Sequence, residues 1–100
     1  MDKYEVFLYP KAYRDIEEIY SYIESAKLEP SIAKGQTERI WEAIESLGNY
    51  PFSHQKRLEG RYADKGYRQL IIDNYIAIYR VDDDKKRVYV VTVQYAGRNL

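Results

Sequence analysis

The sequence contains no cysteine and a single histidine, His54. The lack of cysteine excludes disulfides, thiolate chemistry and cysteine-ligated zinc, and it is consistent with a reducing compartment. A metal site would have to be built almost entirely from carboxylates, and no spaced carboxylate motif indicates one. We therefore expect neither a metal ion nor a cofactor.

Long hydrophobic runs are also missing. Nowhere do about eighteen apolar residues follow one another, the length that a membrane-spanning helix needs. The amino terminus, Met1–Tyr4, lacks the basic stretch and following apolar run of a secretory signal. We expect a cytoplasmic protein that does not associate with a membrane.

The chain has 100 residues, of which 45% are hydrophobic. This length suits one domain with one core and is too short for two independent cores. The apolar content is sufficient to offset the entropy lost on folding, so disorder is excluded. We expect a single domain over residues 1–100.

The charges cancel overall but are unevenly distributed. Residues 1–50 carry six Lys/Arg against ten Asp/Glu, a net charge of −4, and residues 51–100 carry the reverse, ten against six, a net charge of +4. A balanced chain is not a general nucleic-acid coat protein. The basic side chains of one short stretch form the candidate site for an anionic partner: His54, Lys56, Arg57, Arg61, Lys65 and Arg68.

The first half of the sequence predicts one strand and two helices. Residues 3–9 are rich in aromatic and β-branched types and end at Pro10, which suits the first turn of a helix. The first helix follows from apolar residues at helical spacing: Ala12, Ile16, Ile19, Tyr20 and Ile23. The second begins near Pro30, ends at Gly48 and has its own inward stripe: Ala33, Gln36, Ile40, Ala43, Ile44 and Leu47.

The second half predicts a long basic loop and three strands. Residues 49–66 lack periodicity and read as a loop with a strand fragment. Strands at 67–72, 75–81 and 87–95 are separated by turn residues and form an antiparallel meander. The fold class is therefore α+β in the order β-α-α-β-β-β, with an antiparallel sheet covered on one face by an antiparallel helix hairpin.

These elements and their residues resemble the RelE/ParE toxin superfamily over nearly the whole chain. No single motif is specific, but their order and spacing in a chain of this length are persuasive. In the helices the resemblance lies in Ala12, Asp15, Ile16, Ile19, Tyr22 and Ile23, and then in Ala43, Ile44, Leu47 and Pro51. In the strands it lies in Gly66, Tyr67 and Arg68, in Tyr75, Tyr79 and Val81, and in Tyr95, Gly97 and Arg98.

The resemblance implies a growth-inhibiting toxin of a type II toxin–antitoxin system, blocked by a cognate antitoxin usually encoded beside it. RelE-like members cut messenger RNA in the ribosomal decoding site. ParE-like members act on DNA gyrase without being nucleases. The possible partners are therefore an antitoxin together with either DNA gyrase or the ribosome and its mRNA.

A ribonuclease using internal attack of a 2′-hydroxyl needs a proton acceptor, cations at the phosphorus and a donor to the leaving oxygen. Arg68, Tyr95 and Arg98 are the candidate catalytic residues for this chemistry, with Lys65 or His54 as further possibilities. Against it, Arg68 and Arg98 at strand ends are equally compatible with ordinary exposed arginines or with binding of antitoxin carboxylates.

The sequence departs from the RelE pattern at Ile76, where RelE-like nucleases tend to have an arginine. Arg80 lies further along the same predicted strand face and is a candidate substitute. The chain also stops at Leu100, which leaves little room for the catalytic tail of the nucleases. These features favour ParE-like gyrase inhibition over RelE-like cleavage, with an inactive relative that retains only antitoxin binding as a third interpretation.

Other residues carry a structural and a functional interpretation side by side. Most of the twelve tyrosines are expected to pack in the core or sheet, and Tyr95 is the exception to test first. Trp41 is either core or part of a groove for an antitoxin helix, and Arg68 is a second candidate antitoxin contact. The candidate target-binding cations, against the alternative of a merely solvated surface, are Lys56, Arg57, Arg61, Lys65 and Arg80.

Overall fold

A computed structural model describes residues 3–27, 29–58, 62–63 and 66–96. The element order is β1 (Glu5–Leu8), α1 (Pro10–Lys27), α2 (Pro30–Ser46), β2 (Arg68–Ile72), β3 (Tyr75–Asp82) and β4 (Arg87–Tyr95). The α+β class and the order β-α-α-β-β-β predicted from the sequence are confirmed.

Both helices begin at the prolines that the sequence indicated. Pro10 and Pro30 suit the first turn because their missing N–H groups would have no partner there. The inward stripe of α2 differs from the prediction at one position. Thr37 is buried and its hydroxyl donates to the Ala33 carbonyl at 3.1 Å, whereas Gln36 turns outward to donate to Asp73 at 2.9 Å.

Strands β2, β3 and β4 form the predicted antiparallel meander. Asp73 and Asn74 connect β2 to β3 in a tight turn, and Asp73 adopts a φ of 54°. Aspartate tolerates this left-handed backbone better than most residues. The turn chemistry therefore sets the register of the hairpin.

The fourth strand of the sheet is β1, which lies at its edge and pairs in parallel with β4. The sheet is thus mixed, and the prediction of a wholly antiparallel sheet is wrong for this pair. Val6 and Leu8 pack towards the core while Phe7 stacks on Tyr89 at the other face. Alternation along a strand indicates which side chains share a face, but not which strand or direction it will pair with.

Gly48 closes the end of α2 onto the start of β1. Its carbonyl accepts a hydrogen bond from the Tyr4 N–H at 2.8 Å. A Cβ at this position would lie 2.8 Å from the Tyr4 carbonyl oxygen, too close for a side chain. The glycine read as a helix stop therefore also permits close contact between two backbones.

The core lies between the helix hairpin and one face of the sheet, as predicted. Burial of these apolar surfaces against each other supplies the main favourable term in folding. The buried cluster draws on both helices and on β2, β3 and β4, while Val6 and Leu8 of β1 are partly buried against it. Its largest fully buried members include Ile40, Ile44, Leu47, Tyr79, Val88, Val90 and Val93.

The outer edge of β4 changes partner halfway along its length. β1 pairs with β4 only as far as Val90, and the register with β3 then shifts, leaving Val91 as an extra residue. Beyond that point α1 takes over. The buried Asp15 carboxylate accepts hydrogen bonds from the Val93 N–H at 3.0 Å and from the Thr92 hydroxyl, and Lys11 donates to it at 3.0 Å.

Replacing Asp15 with alanine is expected to destabilise the fold. The Val93 N–H and the Thr92 hydroxyl would lose a charged acceptor in a buried place, at a cost of about 2–3 kcal/mol in the free energy of unfolding. Urea denaturation measures this. Glu17→Ala, on the exposed side of the same helix, is the control and should change the free energy little. Equal effects of the two substitutions would contradict the role given to Asp15.

Candidate functional site

Arg68 begins β2 and holds the loop that precedes it. Its guanidinium donates to the carbonyl oxygens of His54 at 2.7 Å and of Phe52 at 3.5 Å, and lies 5.2 Å from the centroid of the Phe52 ring. Both carbonyls are contacted by the same guanidinium nitrogen, Nη1. Arg68 acts here as the anchor of residues 52–54.

Tyr79 anchors the same loop from inside the core. Its ring is fully buried, and its hydroxyl donates to the Pro51 carbonyl at 2.8 Å. Burial raises the pKa of Tyr79 to about 12, against a smaller lowering by the charge of Arg68. The sequence assigned Tyr79 to packing, and nothing in its periodicity indicated a bond to a residue so far back in the chain.

The basic loop contains the predicted strand fragment. The Arg57 N–H donates to the Tyr67 carbonyl at 2.8 Å and the Gln69 N–H donates to the Gln55 carbonyl at 2.9 Å. Residues 55–57 therefore continue the sheet beyond β2. The Lys56 side chain is exposed, and the Arg57 guanidinium donates to the Gln69 side chain at 2.8 Å.

Two predicted cations of this loop, Arg61 and Lys65, lie outside the described residues, as does the candidate catalytic residue Arg98. Their assignments therefore stay predictions.

Arg80 lies in a cluster of aromatic rings on the sheet face that the helices leave uncovered. Its guanidinium is 4.3 Å from the centroid of the Tyr89 ring and donates to the Tyr9 hydroxyl at 3.2 Å. Arg87 similarly sits 5.3 Å from the centroid of the Phe7 ring. Together these residues form a surface in which arginines and aromatic rings alternate.

Ile76 and Arg80 are four residues apart on β3, a separation of about 13 Å along the strand. Ile76 itself is buried. The Arg80 guanidinium is also held by Tyr9 and Tyr89. Arg80 thus lies apart from position 76, and its role as a substitute for the arginine of RelE-like nucleases stays a prediction.

Tyr95 is exposed at the end of β4, where it packs edge-on against Tyr75 with ring centroids 6.0 Å apart. It pairs with Tyr75 across the sheet, whereas Arg68 pairs with Tyr79. Since four residues separate Tyr75 from Tyr79, Arg68 and Tyr95 are about 13 Å apart along the strand direction. The structure does not bring these two candidate catalytic residues together.

Trp41 is half-buried on the helix hairpin. It packs against the core on one side and meets the exposed Tyr13 of α1 on the other, with ring centroids 5.7 Å apart. Both interpretations of Trp41 thus describe part of its environment, because one edge of the ring contributes to the core and the other to an aromatic surface patch.

Two features are absent from the described part of the chain. Within it, no three His, Asp or Glu side chains are grouped so that they could hold a metal ion. None of the described helices combines the length and hydropathy needed to cross a bilayer.

The architecture consists of two helices packed against one face of a four-stranded mixed sheet. A model of the ParE toxin of the type II toxin–antitoxin system parDE matches residues 6–100, and the chain therefore belongs to the ParE toxin family. No curated protein sequence gave a significant match.

Several solved structures share this fold. A chromosomal ParDE toxin–antitoxin system from Pseudomonas aeruginosa matches with a TM-score of 0.77 and 19% identity, covering 93% of this chain and 96% of that one. The RelBE2 toxin–antitoxin complex from Mycobacterium tuberculosis matches with a TM-score of 0.63 and 26% identity, covering 95% and 93%. An archaeal RelE–RelB complex from Pyrococcus horikoshii has a TM-score of 0.64 and 14% identity, covering 96% and 98%.

Tyr79→Phe should weaken the attachment of the basic loop. The Pro51 carbonyl would lose its buried donor, and we expect the free energy of unfolding to fall by about 1–2 kcal/mol. Urea denaturation near neutral pH measures the loss. Tyr50→Phe, an exposed tyrosine of the same region, serves as the control.

The wild-type protein and Tyr79→Phe should also differ in how their free energies of unfolding change at alkaline pH. The pKa of Tyr79 is raised by burial to about 12, from an ordinary value of 10.0. The stabilisation that the Tyr79 phenol gives to the folded state is therefore fully present below the pKa of the unfolded state. It is lost as the pH rises through the pKa of the folded state. Between about pH 9 and about pH 12 the wild-type protein should lose more stability than Tyr79→Phe. Parallel pH profiles would refute this role of the phenol.

Proposed function

We propose that this member of the ParE family inhibits growth by binding its target, with DNA gyrase as the target class, and does not cut RNA. The observation that carries the proposal is the separation of Arg68 from Tyr95 by about 13 Å along β3. The gyrase class comes from the resemblance to ParE-like toxins.

The chemistry of cleavage explains why this separation matters. Attack by a 2′-hydroxyl requires an acceptor, a cation and a donor within hydrogen-bond reach of one phosphate. Arg68 is turned to the carbonyls of residues 52 and 54, and position 76 carries a buried isoleucine. The described residues supply only scattered members of such a set, which supports a binding mode of action.

The target would meet the basic second half of the chain. Lys56 is exposed on the loop that Arg68 and Tyr79 hold against the sheet, and Arg57 lies beside it. Arg61 and Lys65 continue the same stretch of sequence, and Arg80 adds a cation on the uncovered sheet face. Cations presented on a fixed support suit recognition of an acidic protein surface or of DNA held by an enzyme.

Two assays with the purified protein separate the candidate activities. We expect inhibition of plasmid supercoiling by gyrase, and intact message in a translating extract when cleavage is mapped by primer extension. Lys56→Gln should weaken gyrase inhibition, whereas Lys34→Gln, which removes an exposed cation from α2, should not. Message cut at defined codons with supercoiling unaffected would overturn the proposal in favour of a RelE-like ribonuclease.

We further propose that a cognate antitoxin restrains this toxin and covers the patch formed by Trp41 and Tyr13. The similar structures described as toxin–antitoxin complexes support such a partner. Aromatic residues with one packed edge and one exposed edge are favourable contacts for an amphipathic helix. Tyr13 is 49% exposed, so this patch retains surface for a partner to bury.

Trp41 is the only tryptophan of the chain and reports directly on this contact. When the protein encoded by the neighbouring reading frame is bound, the emission of Trp41 should shift to shorter wavelength because water is excluded from the ring. The complex made with Trp41→Phe gives the signal of the partner alone. Unchanged emission in a stoichiometric complex would place the antitoxin elsewhere on the surface.

A further inference from the structure

A cleft of about 470 Å³ opens between α1 and the outer edge of β4, and no described residue of the basic loop lines it. Three tyrosines line it: Tyr22 from α1, Tyr75 from β3 and Tyr95 from β4. Glu18 and Asp15 also line it, and the described lining contains no lysine or arginine. The cleft thus combines aromatic faces with negative charge.

The tyrosines lie close enough to act together. Tyr75 and Tyr95 pack at 75° to each other, so that their rings form two walls of a corner. Burial raises the pKa of Tyr75, with further contributions from Tyr22 and Tyr95. Neutral rings at right angles present electron-rich faces from more than one direction, an arrangement that attracts a cation.

The two carboxylates have different roles. Asp15 is engaged by Lys11, Thr92 and the backbone of Val93, so its charge is balanced inside the fold. Glu18 lies one helical turn further along and is exposed. It has no ion pair within the described ranges 3–27, 29–58, 62–63 and 66–96. Glu18 is therefore the carboxylate that can form an ion pair with a bound cation.

We propose that this cleft receives an arginine side chain of a partner polypeptide. A planar guanidinium can stack on a tyrosine ring while its N–H groups point to the Glu18 carboxylate. The occupant belongs to a larger chain because Tyr22 and Tyr95 are 71% and 55% exposed at the rim, where a partner backbone would cover them. Nucleic acid is disfavoured, since its phosphates would face Glu18 and Asp15.

This inference goes beyond the proposed function and assigns Tyr95 a binding role in place of a catalytic one. It does not depend on whether the target is gyrase. If the protein fails to inhibit gyrase, we still expect it to bind arginine in this cleft. If it inhibits gyrase but does not bind arginine, only the proposal about the cleft is refuted.

The test is an NMR titration of the full chain with acetyl-arginine amide, followed through the ring resonances of the three tyrosines. Acetyl-citrulline amide, which has nearly the same shape without the charge, is the matched probe. We expect saturable shifts at Tyr22, Tyr75 and Tyr95 in the millimolar range, with citrulline bound at least about fivefold more weakly. Equal binding of the two probes, or shifts confined to other residues, would overturn the proposal.

Variants separate a local site from the overall charge of the helix. Glu18→Gln should weaken arginine binding about three- to tenfold, and Tyr22→Leu should weaken it through loss of a ring face. Glu17→Gln removes the neighbouring charge, which lies outside the cleft lining, and should leave binding unchanged. Equal weakening by Glu17→Gln and Glu18→Gln would mean that only net charge attracts the probe, and the site would be refuted.

Discussion

The carboxylate of Asp15 allows helix α1 to contact the edge of β4 at the point where strand β1 no longer pairs with it. β1 is short, and beyond Val90 it no longer pairs with β4. An unpaired N–H buried at that edge would cost as much as a lost hydrogen bond. Because Asp15 accepts from Val93 and Thr92, α1 can lie directly against the strand edge. The position of α1, and with it the wall of the tyrosine-lined cleft, depends on this contact.

A second constraint fixes the basic loop. Tyr79 and Arg68 are cross-strand neighbours, and both reach back to carbonyl oxygens of residues 51–54. Two donors from the sheet thus hold this segment in place. The arginine that motif comparison made a candidate for catalysis is one of these donors. A motif at the start of a strand identifies an arginine but not its partner, because an arginine can donate equally well to a loop carbonyl or to a phosphate.

The sequence was informative wherever one periodicity covered many residues. The stripes of α1 and α2, the prolines at their first turns and the alternation of the meander strands each rest on local geometry, and the structure bears them out. The errors lie where pairing is decided at long range. The parallel placement of β1 follows from where the hairpin leaves space, and no local pattern encodes it. Thr37 is buried where Gln36 was predicted, because the Thr37 hydroxyl can donate its hydrogen bond to the Ala33 carbonyl of its own helix.

The candidate sites show the same division. Composition and charge located the basic stretch, since six cationic or titratable residues fall close together in the sequence. The engagement of Arg68 and the distance between Arg68 and Tyr95 required the strand register. The cleft was not foreseen, although Tyr22, Tyr75 and Tyr95 were each noted in a motif, because three different elements bring them together.

The pairing of β1 with β4 joins the first strand of the described chain to the last one. Glu5 is opposite Arg87, so this edge of the sheet cannot close until the long stretch of chain between them has been ordered. Contacts of such sequence separation are slow to form because a long loop must be ordered first. The pairing of β1 with β4 is therefore expected to be the slowest contact of the sheet to form.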